Sequence, residues 1–143
     1  MRNIKNKKGF TLVELLAVIV VLAIIMIIAV PAVMNAMNDA RKNSFKIYAQ
    51  KVLNTAETNY QANLLTGTTI NNCYTITDLM GDSVGNYKGY VQIDNSVIDS
   101  PVFTITISDN NYSYTAKTFS ALTTDDTNLK NADSNITNTC PSA

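Results

Sequence analysis

Histidine and tryptophan are absent from this 143-residue chain, and it contains only two cysteines. Without histidine, the chain lacks the most frequent general base and the commonest metal ligand of proteins. Acid–base chemistry would fall to Asp, Glu, Lys or Tyr, and the sequence shows no convergent pair of these residues. We therefore expect no enzymatic activity, no metal site and no cofactor.

The chain also has no net charge, because eleven basic residues balance eleven acidic ones. This balance argues against a broad nucleic-acid-binding surface, and we predict no specific nucleic-acid binding. The charges are unevenly distributed, since Arg2, Lys5, Lys7 and Lys8 all precede the first acidic residue, Glu14. Without those four residues, seven bases would face eleven acids, a net charge of about −4.

A long apolar run extends from Phe10 to Val30, with Thr11 and Glu14 as its only polar residues. As a helix it would be about 31 Å long at ~1.5 Å per residue, matching the ~30 Å hydrocarbon core of a bilayer. Basic residues lie only on its N-terminal side, so we expect a single span with a cytoplasmic N-terminus and a translocated remainder. A secretory signal peptide is the alternative, but its apolar region would be only about 7–15 residues long.

Glu14 is the one charged residue inside the apolar run. A carboxylate within a membrane span costs about 2.5–3.5 kcal/mol on insertion scales, so it normally has a partner. No basic residue lies within helical reach on the apolar side. Either Glu14 sits near the membrane interface, or its partner comes from elsewhere.

The segment from Lys7 to Leu16, KKGFTLVELL, resembles the processing motif of type IV prepilins and pseudopilins. In that family a membrane peptidase cuts a basic leader after its final glycine and N-methylates the new first residue, and the fifth mature residue is glutamate. The resemblance implies cleavage between Gly9 and Phe10, methylation of Phe10, and an assembly role for Glu14. It also implies a prepilin peptidase, a pilus assembly platform and other pilins as partners in a homo-oligomeric filament.

Cleavage would create a positive amine at Phe10 in an apolar environment. That amine is the partner that Glu14 otherwise lacks, and we expect the two to pair between neighbouring subunits. Leaving either charge unpaired inside a filament would cost about 3–5 kcal/mol.

Pro31 falls where the family commonly has a helix-distorting proline, and we assign it to assembly with Glu14. Proline cannot donate a helical hydrogen bond, and its ring clashes with the carbonyl one turn back. We therefore expect a kink or a locally melted stretch over Ile27–Pro31, with a simple helix end as the alternative.

The second half of the predicted helix lacks Pro and Gly from residue 32 to residue 65. Its apolar residues recur at helical spacing, which predicts an amphipathic helix lying against a sheet and capped at its end by Gly67. The members of this stripe are Phe45, Ala49, Val52, Leu53, Ala56, Tyr60 and Leu64.

The remaining residues, 67–143, are rich in Thr, Asn, Tyr and β-branched side chains, which favours strands. We predict strands at Tyr90–Ile93, Val102–Ser108 and Tyr112–Phe119, a helical turn at Thr77–Met80, and a hairpin turn at Asp109–Asn111, where Asn tolerates positive φ. The expected fold class is α+β and similar to type IV pilins, with a long helix packed on a small antiparallel sheet. Its parts are a removed leader (1–9), the helix (10–66) and an extracytoplasmic head (67–143).

Cys73 and Cys140 are the two cysteines of the chain. In a translocated domain such a pair is most simply a disulfide, and two reduced thiols are the alternative. Oxygen-bearing residues at Asp125–Asn128 and Asp133–Asn135 raise the question of calcium, which some secretion pseudopilins hold near the C-terminus. Because a glycine-turned loop and a suitably spaced bidentate Glu are both missing, we expect a solvated acidic loop there.

These features predict a structural subunit of a type IV pilus, made as a single-pass membrane precursor and then displayed at the cell surface. A pseudopilin of a type II secretion or DNA-uptake machine is the alternative, because the N-terminal helix is the same in both. A single-pass membrane sensor or enzyme is a third class, but the sequence shows no catalytic or ligand constellation for it.

Replacing Gly9 by a bulkier residue, as in Gly9→Leu, should leave full-length precursor in the membrane. The physical reason is that glycine offers no side chain, so the backbone can enter a narrow protease site. N-terminal sequencing and mass measurement of the membrane-associated protein test this expectation. A mature wild-type chain that begins anywhere other than Phe10 would contradict the assigned cut.

Overall fold

The computed structural model describes residues 9–81, 84–96, 100–124 and 129–141. Most of the predicted leader and the acidic segment 125–128 lie outside these residues. By its internal contacts the chain divides into an N-terminal unit that ends at Ala40 and a head unit that begins at Arg41. The long helix α1, Leu12–Thr66, contributes to both, and each unit is described by itself.

The C-terminal end of α1 is closed by a glycine cap. Gly67 has a φ of +68°, and the N–H of Thr68 donates to the carbonyl of Asn63 at 3.1 Å. This bond spans the last turn in the manner of a Schellman motif, in which a left-handed residue follows the helix. The predicted cap at Gly67 is therefore confirmed.

Within the described residues the head unit contains one antiparallel sheet of five strands in the order β1-β2-β3-β4-β5. Two short helices connect its strands, α2 between β1 and β2 and α3 between β4 and β5. Consecutive strands pair throughout, so the sheet is a meander, and the α+β prediction is confirmed. The bounds are β1 Cys73–Thr75, α2 Ile76–Met80, β2 Lys88–Asp94, β3 Val102–Ser108, β4 Tyr112–Lys117, α3 Phe119–Thr124 and β5 Lys130–Asn131.

The predicted strands agree with β2 and β3, whereas the fourth strand ends earlier than expected. β4 ends at Lys117, because Thr118 begins α3 by accepting the N–H groups of Ala121 and Leu122 on its hydroxyl and carbonyl oxygens. Strands β1 and β5 are three and two residues long. Such lengths are too short for an alternating pattern to be seen in the sequence.

The main core lies between one face of α1 and the inward face of the sheet. The predicted stripe is buried from Phe45 to Tyr60, but Leu64 is 53% exposed because the covered face ends one turn earlier. Fully burying a large apolar side chain contributes about 1.5–3 kcal/mol, so this stripe is a principal source of stability for the head unit. From the sheet and α3 it meets the buried side chains Val91, Ile105, Ile107, Tyr114 and Leu122.

Aromatic rings cluster around Phe45 in this core. Its ring centroid lies 5.3 Å from that of Tyr114 and 6.1 Å from that of Tyr87, and the rings of Tyr48 and Tyr87 stack at 3.8 Å. Burial raises the pKa of both Tyr48 and Tyr87, so these phenols stay neutral at physiological pH. The cluster therefore acts as apolar packing.

The hairpin between β3 and β4 occurs where the sequence predicts it, but for a different reason. The Asp109 carboxylate accepts the N–H groups of Asn111 and Tyr112, each at 2.6 Å. Among the described residues other than glycine, positive φ occurs only at Ala116. The turn is therefore stabilised by hydrogen bonds to the Asp109 carboxylate, and not by an asparagine with positive φ as we expected.

Residues 129–141 form a segment, here called the C-terminal strap, that is bonded to successive strands of the sheet. Hydrogen bonds link it to Ser113 of β4, Ser108 of β3 and Gly89 of β2, and a disulfide links it to β1. The side chain of Ile136 within the strap is buried. The bonds are Ser113 Oγ to the Asn131 carbonyl (2.7 Å), Asp133 N–H to Ser108 Oγ (3.1 Å), Gly89 N–H to Asn138 Oδ1 (2.8 Å) and Cys73 to Cys140 (S–S 2.06 Å).

Gly89→Ala should destabilise the head unit by at least about 3 kcal/mol. A Cβ at this position would lie 2.0 Å from the Thr106 carbonyl oxygen and 2.8 Å from the Ile107 Cα, and φ is +148°. Backbone atoms of β3 cannot move away without breaking the pairing of the two strands. The measurement is the free energy of unfolding by chemical denaturation.

The matched control for that substitution is Gly67→Ala. Gly67 also has a positive φ, but a Cβ there would meet nothing within 4 Å. Only the left-handed backbone penalty of about 1–2 kcal/mol remains. An equal loss of unfolding free energy in Gly89→Ala and Gly67→Ala would show that contact with β3 is not the cause of the destabilisation.

Replacing both Cys73 and Cys140 by serine should lower the free energy of unfolding by about 4 kcal/mol, because the unfolded chain regains the entropy of an open loop. The two cysteines are separated by 67 positions in the chain. Thiol labelling of unfolded, unreduced wild-type protein should detect no free thiol. Two reactive thiols in that experiment would contradict the bond.

Candidate processing and assembly site

The predicted cleavage point lies directly before α1. Gly9, Phe10 and Thr11 are not helical, and the helix begins at Leu12. The Phe10 side chain is 82% exposed. The Gly9–Phe10 peptide bond therefore lies in exposed backbone outside the helical hydrogen-bond ladder, where proteolysis is most often found.

Thr11 and Glu14 form a reciprocal capping box at the start of α1. The N–H and the hydroxyl of Thr11 both donate to Glu14 Oε2, each at 2.9 Å. In return, the N–H of Glu14 donates to Thr11 Oγ1 at 3.3 Å. Two backbone N–H groups that would otherwise be unpaired at the helix start are satisfied in this way.

This arrangement corrects the expectation that Glu14 has no partner within its own chain. Thr-x-x-Glu at a helix start is a capping signal that requires no basic partner. A carboxylate in the first turn is also stabilised by the helix dipole. Glu14 therefore has a local structural role in addition to any role between subunits.

The carboxylate can still accept further hydrogen bonds. An ionised carboxylate offers about four acceptor sites, and Thr11 supplies two donors. Cleavage after Gly9 would leave the box intact, because the Thr11 N–H belongs to the following peptide bond. The new amine would belong to Phe10, the residue directly before Thr11.

The N-terminal unit exposes apolar side chains along its whole described length. Every residue from Gly9 to Ala40 is exposed, including Leu, Ile, Val and Met at successive positions. The described residues contain one helix, α1, that is long and apolar enough to cross a membrane. No residue of its most apolar stretch is buried. A surface of this kind requires lipid or protein to cover it.

The helix is continuous through Pro31, and all residues from Ile27 to Pro31 are helical. Proline removes one bond, that to the Ile27 carbonyl, while the helical bonds on both sides remain. The expected locally melted stretch is therefore wrong for this structure, and so is the alternative of a helix end, whereas the kink at Pro31 stays a prediction.

The other residues proposed from the sequence lie apart from the N-terminal group. Cys73 and Cys140 are joined in the head unit, where they hold the C-terminal strap to β1. Within the part of the chain that the structure describes, three or more His, Cys, Asp or Glu residues nowhere gather as a metal site would require. The segment Asp125–Asn128 lies outside that part, while Asp133 accepts the N–H of Asn135 at 2.9 Å.

Comparison with known proteins places a family motif at this site. A family model described as the prokaryotic N-terminal methylation motif matches residues 4–30. The match covers residues 4–9 of the predicted leader, the predicted cleavage point, the capping box and the apolar part of α1, and it ends before Pro31. No curated protein and no solved structure gave a significant match to the chain.

Proposed function

Because residues 4–30 carry the N-terminal methylation motif of type IV pilins and pseudopilins, we propose that the chain is a non-catalytic structural subunit of a type IV pilus. Prepilin peptidase removes residues 1–9 and methylates Phe10, and an assembly platform moves the mature subunit from the membrane into the filament. One observation carries this proposal: helix α1, which begins within the motif, is apolar up to Val30 apart from Glu14, and every residue of the helix up to Ala40 is exposed.

The exposed apolar surface of the N-terminal unit must be covered twice, first in the membrane and then in the filament. Burial of each large apolar side chain contributes about 1.5–3 kcal/mol, so the uncovered helix is unstable in water. Lipid covers it in the precursor, with the basic leader in the cytoplasm and the head unit translocated. Helices of neighbouring subunits cover it in the filament at the cell surface.

Glu14 supports assembly in a fixed register. The capping box satisfies part of its hydrogen-bonding capacity but supplies no positive charge. In the filament the Phe10 ammonium of a neighbouring subunit supplies that charge. Separating the two groups leaves each unpaired in an apolar environment, at about 3–5 kcal/mol, so sliding between subunits is opposed.

A pseudopilin of a type II secretion or DNA-uptake machine carries the same motif and remains the second candidate. Imaging separates the two functions. A strain lacking this chain should lose its surface filaments and regain them when the chain is expressed again. Unchanged filaments together with a loss of secretion or DNA uptake would assign the chain to a pseudopilus.

Glu14→Gln should lower filament yield per processed subunit by at least about tenfold, because the Phe10 ammonium loses its counter-charge. Glutamine retains the oxygen that accepts from Thr11, so the helix cap is preserved. Glu14→Ala should lower yield at least as much, since it removes both the charge and the carboxylate half of the capping box. Electron microscopy and quantification of sheared filaments measure the yield.

The control is Glu57→Gln, which removes an exposed carboxylate from α1 within the head unit. Its yield should remain close to that of wild type. Wild-type yield and salt resistance in Glu14→Gln would contradict charge pairing between subunits. A loss of filament yield in Glu14→Ala but not in Glu14→Gln would show that Glu14 acts only as part of the helix cap.

A further inference from the structure

Thr11 holds the Glu14 carboxylate by contacts from both its backbone and its side chain. Both Thr11 donors meet one oxygen, Oε2, at 2.9 Å, and the Glu14 N–H returns a bond of 3.3 Å. An exposed Glu side chain is otherwise free to sample many rotamers, and fixing them costs conformational entropy. In this structure the bonds to Thr11 already order the Glu14 side chain within a single chain.

We propose that Thr11 is a positioning residue for filament assembly. It holds the Glu14 carboxylate at the beginning of α1, in the orientation from which the carboxylate meets the Phe10 ammonium of a second copy of this chain. This inference rests on the proposed function and adds to it a residue that acts through Glu14 rather than on the partner.

The chemistry of the box supports this role. The Thr11 hydroxyl donates to an ionised acceptor, and such charge-assisted bonds are roughly twice as strong as neutral ones. Because both donors converge on Oε2, they hold that oxygen at the helix start while acceptor sites of the carboxylate remain for an ammonium. A preorganised charge loses less entropy when its partner arrives than a freely rotating one.

The primary test compares Thr11→Val with Thr11→Ser, each expressed as the sole copy in cells that make filaments. Valine has the shape of threonine but no hydroxyl, whereas serine keeps the hydroxyl and is itself a favoured helix cap. Filament yield per subunit with a Phe10 N-terminus should fall about tenfold or more for valine, as expected for loss of a hydrogen bond to a charged group. For serine it should stay within about twofold of wild type.

The matched control is Thr58→Val on the same helix. Thr58 is exposed, and its hydroxyl donates to the Asn54 carbonyl at 2.8 Å, so the same chemical change is made without touching a carboxylate. Its filament yield should be close to that of wild type. A tenfold loss in Thr58→Val, or a loss in Thr11→Ser equal to that in Thr11→Val, would overturn the proposal.

Backbone amide hydrogen exchange of the membrane-extracted subunit in micelles provides a second readout, which does not require assembly. The Thr11 and Glu14 amides should be protected in wild type and in Thr11→Ser, and the Glu14 amide should exchange faster in Thr11→Val. Unprotected amides at both positions in wild type would overturn the proposal even if a variant were poorly processed.

Failure of this inference can be distinguished from failure of the proposed function, because that function fails only if a strain lacking this chain keeps its surface filaments. If Thr11→Val assembles like wild type while Glu14→Gln does not, the positioning role is wrong and charge pairing stands. If Glu14→Gln also assembles normally, charge pairing fails, and the positioning role fails with it.

Discussion

The apolar surface of α1 is the constraint on which the rest of this protein depends. From Leu12 to Val30 it surrounds the helix apart from Glu14, and every residue of this stretch is exposed. From Phe45 to Tyr60 it narrows to one stripe, which the sheet of the head unit buries. Two different partners therefore cover the apolar surface of this one helix. The sheet of its own chain covers the stripe, and the exposed part requires lipid or other chains.

In the proposed filament, the Glu14 carboxylate restricts the positions in which the apolar helices of neighbouring subunits can pack. Apolar helices pack in many registers of similar energy, because burial is non-directional. A charge that must meet an opposite charge has far fewer acceptable positions. In the proposed filament, cutting after Gly9 removes the basic leader and creates the amine opposite Glu14, so that processing and assembly depend on the same few residues.

The parts of the fold that were predicted correctly depend on interactions between residues close in sequence. The stripe on α1, the Gly67 cap and strand β3 follow from periodicity and local backbone preference. The errors arose where a side chain replaced the expected backbone solution, as at Asp109 in the hairpin, or where an element was too short to show a period, as in β1 and β5. At the N-terminus, the bond between Glu14 and Thr11 is equally local, and the Thr-x-x-Glu pattern is visible in the sequence.

The sequence by itself determined the apolar run, its basic flank, the cleavage motif and the two cysteines available for a disulfide. Tertiary structure alone decided the path of the C-terminal strap. Asn138 meets Gly89 across 49 positions, and Ser113 bonds to Asn131 across 18. No local pattern records such pairs, because they form only after β2, β3 and β4 have been brought side by side on the helix and their free backbone groups and side chains face the same segment.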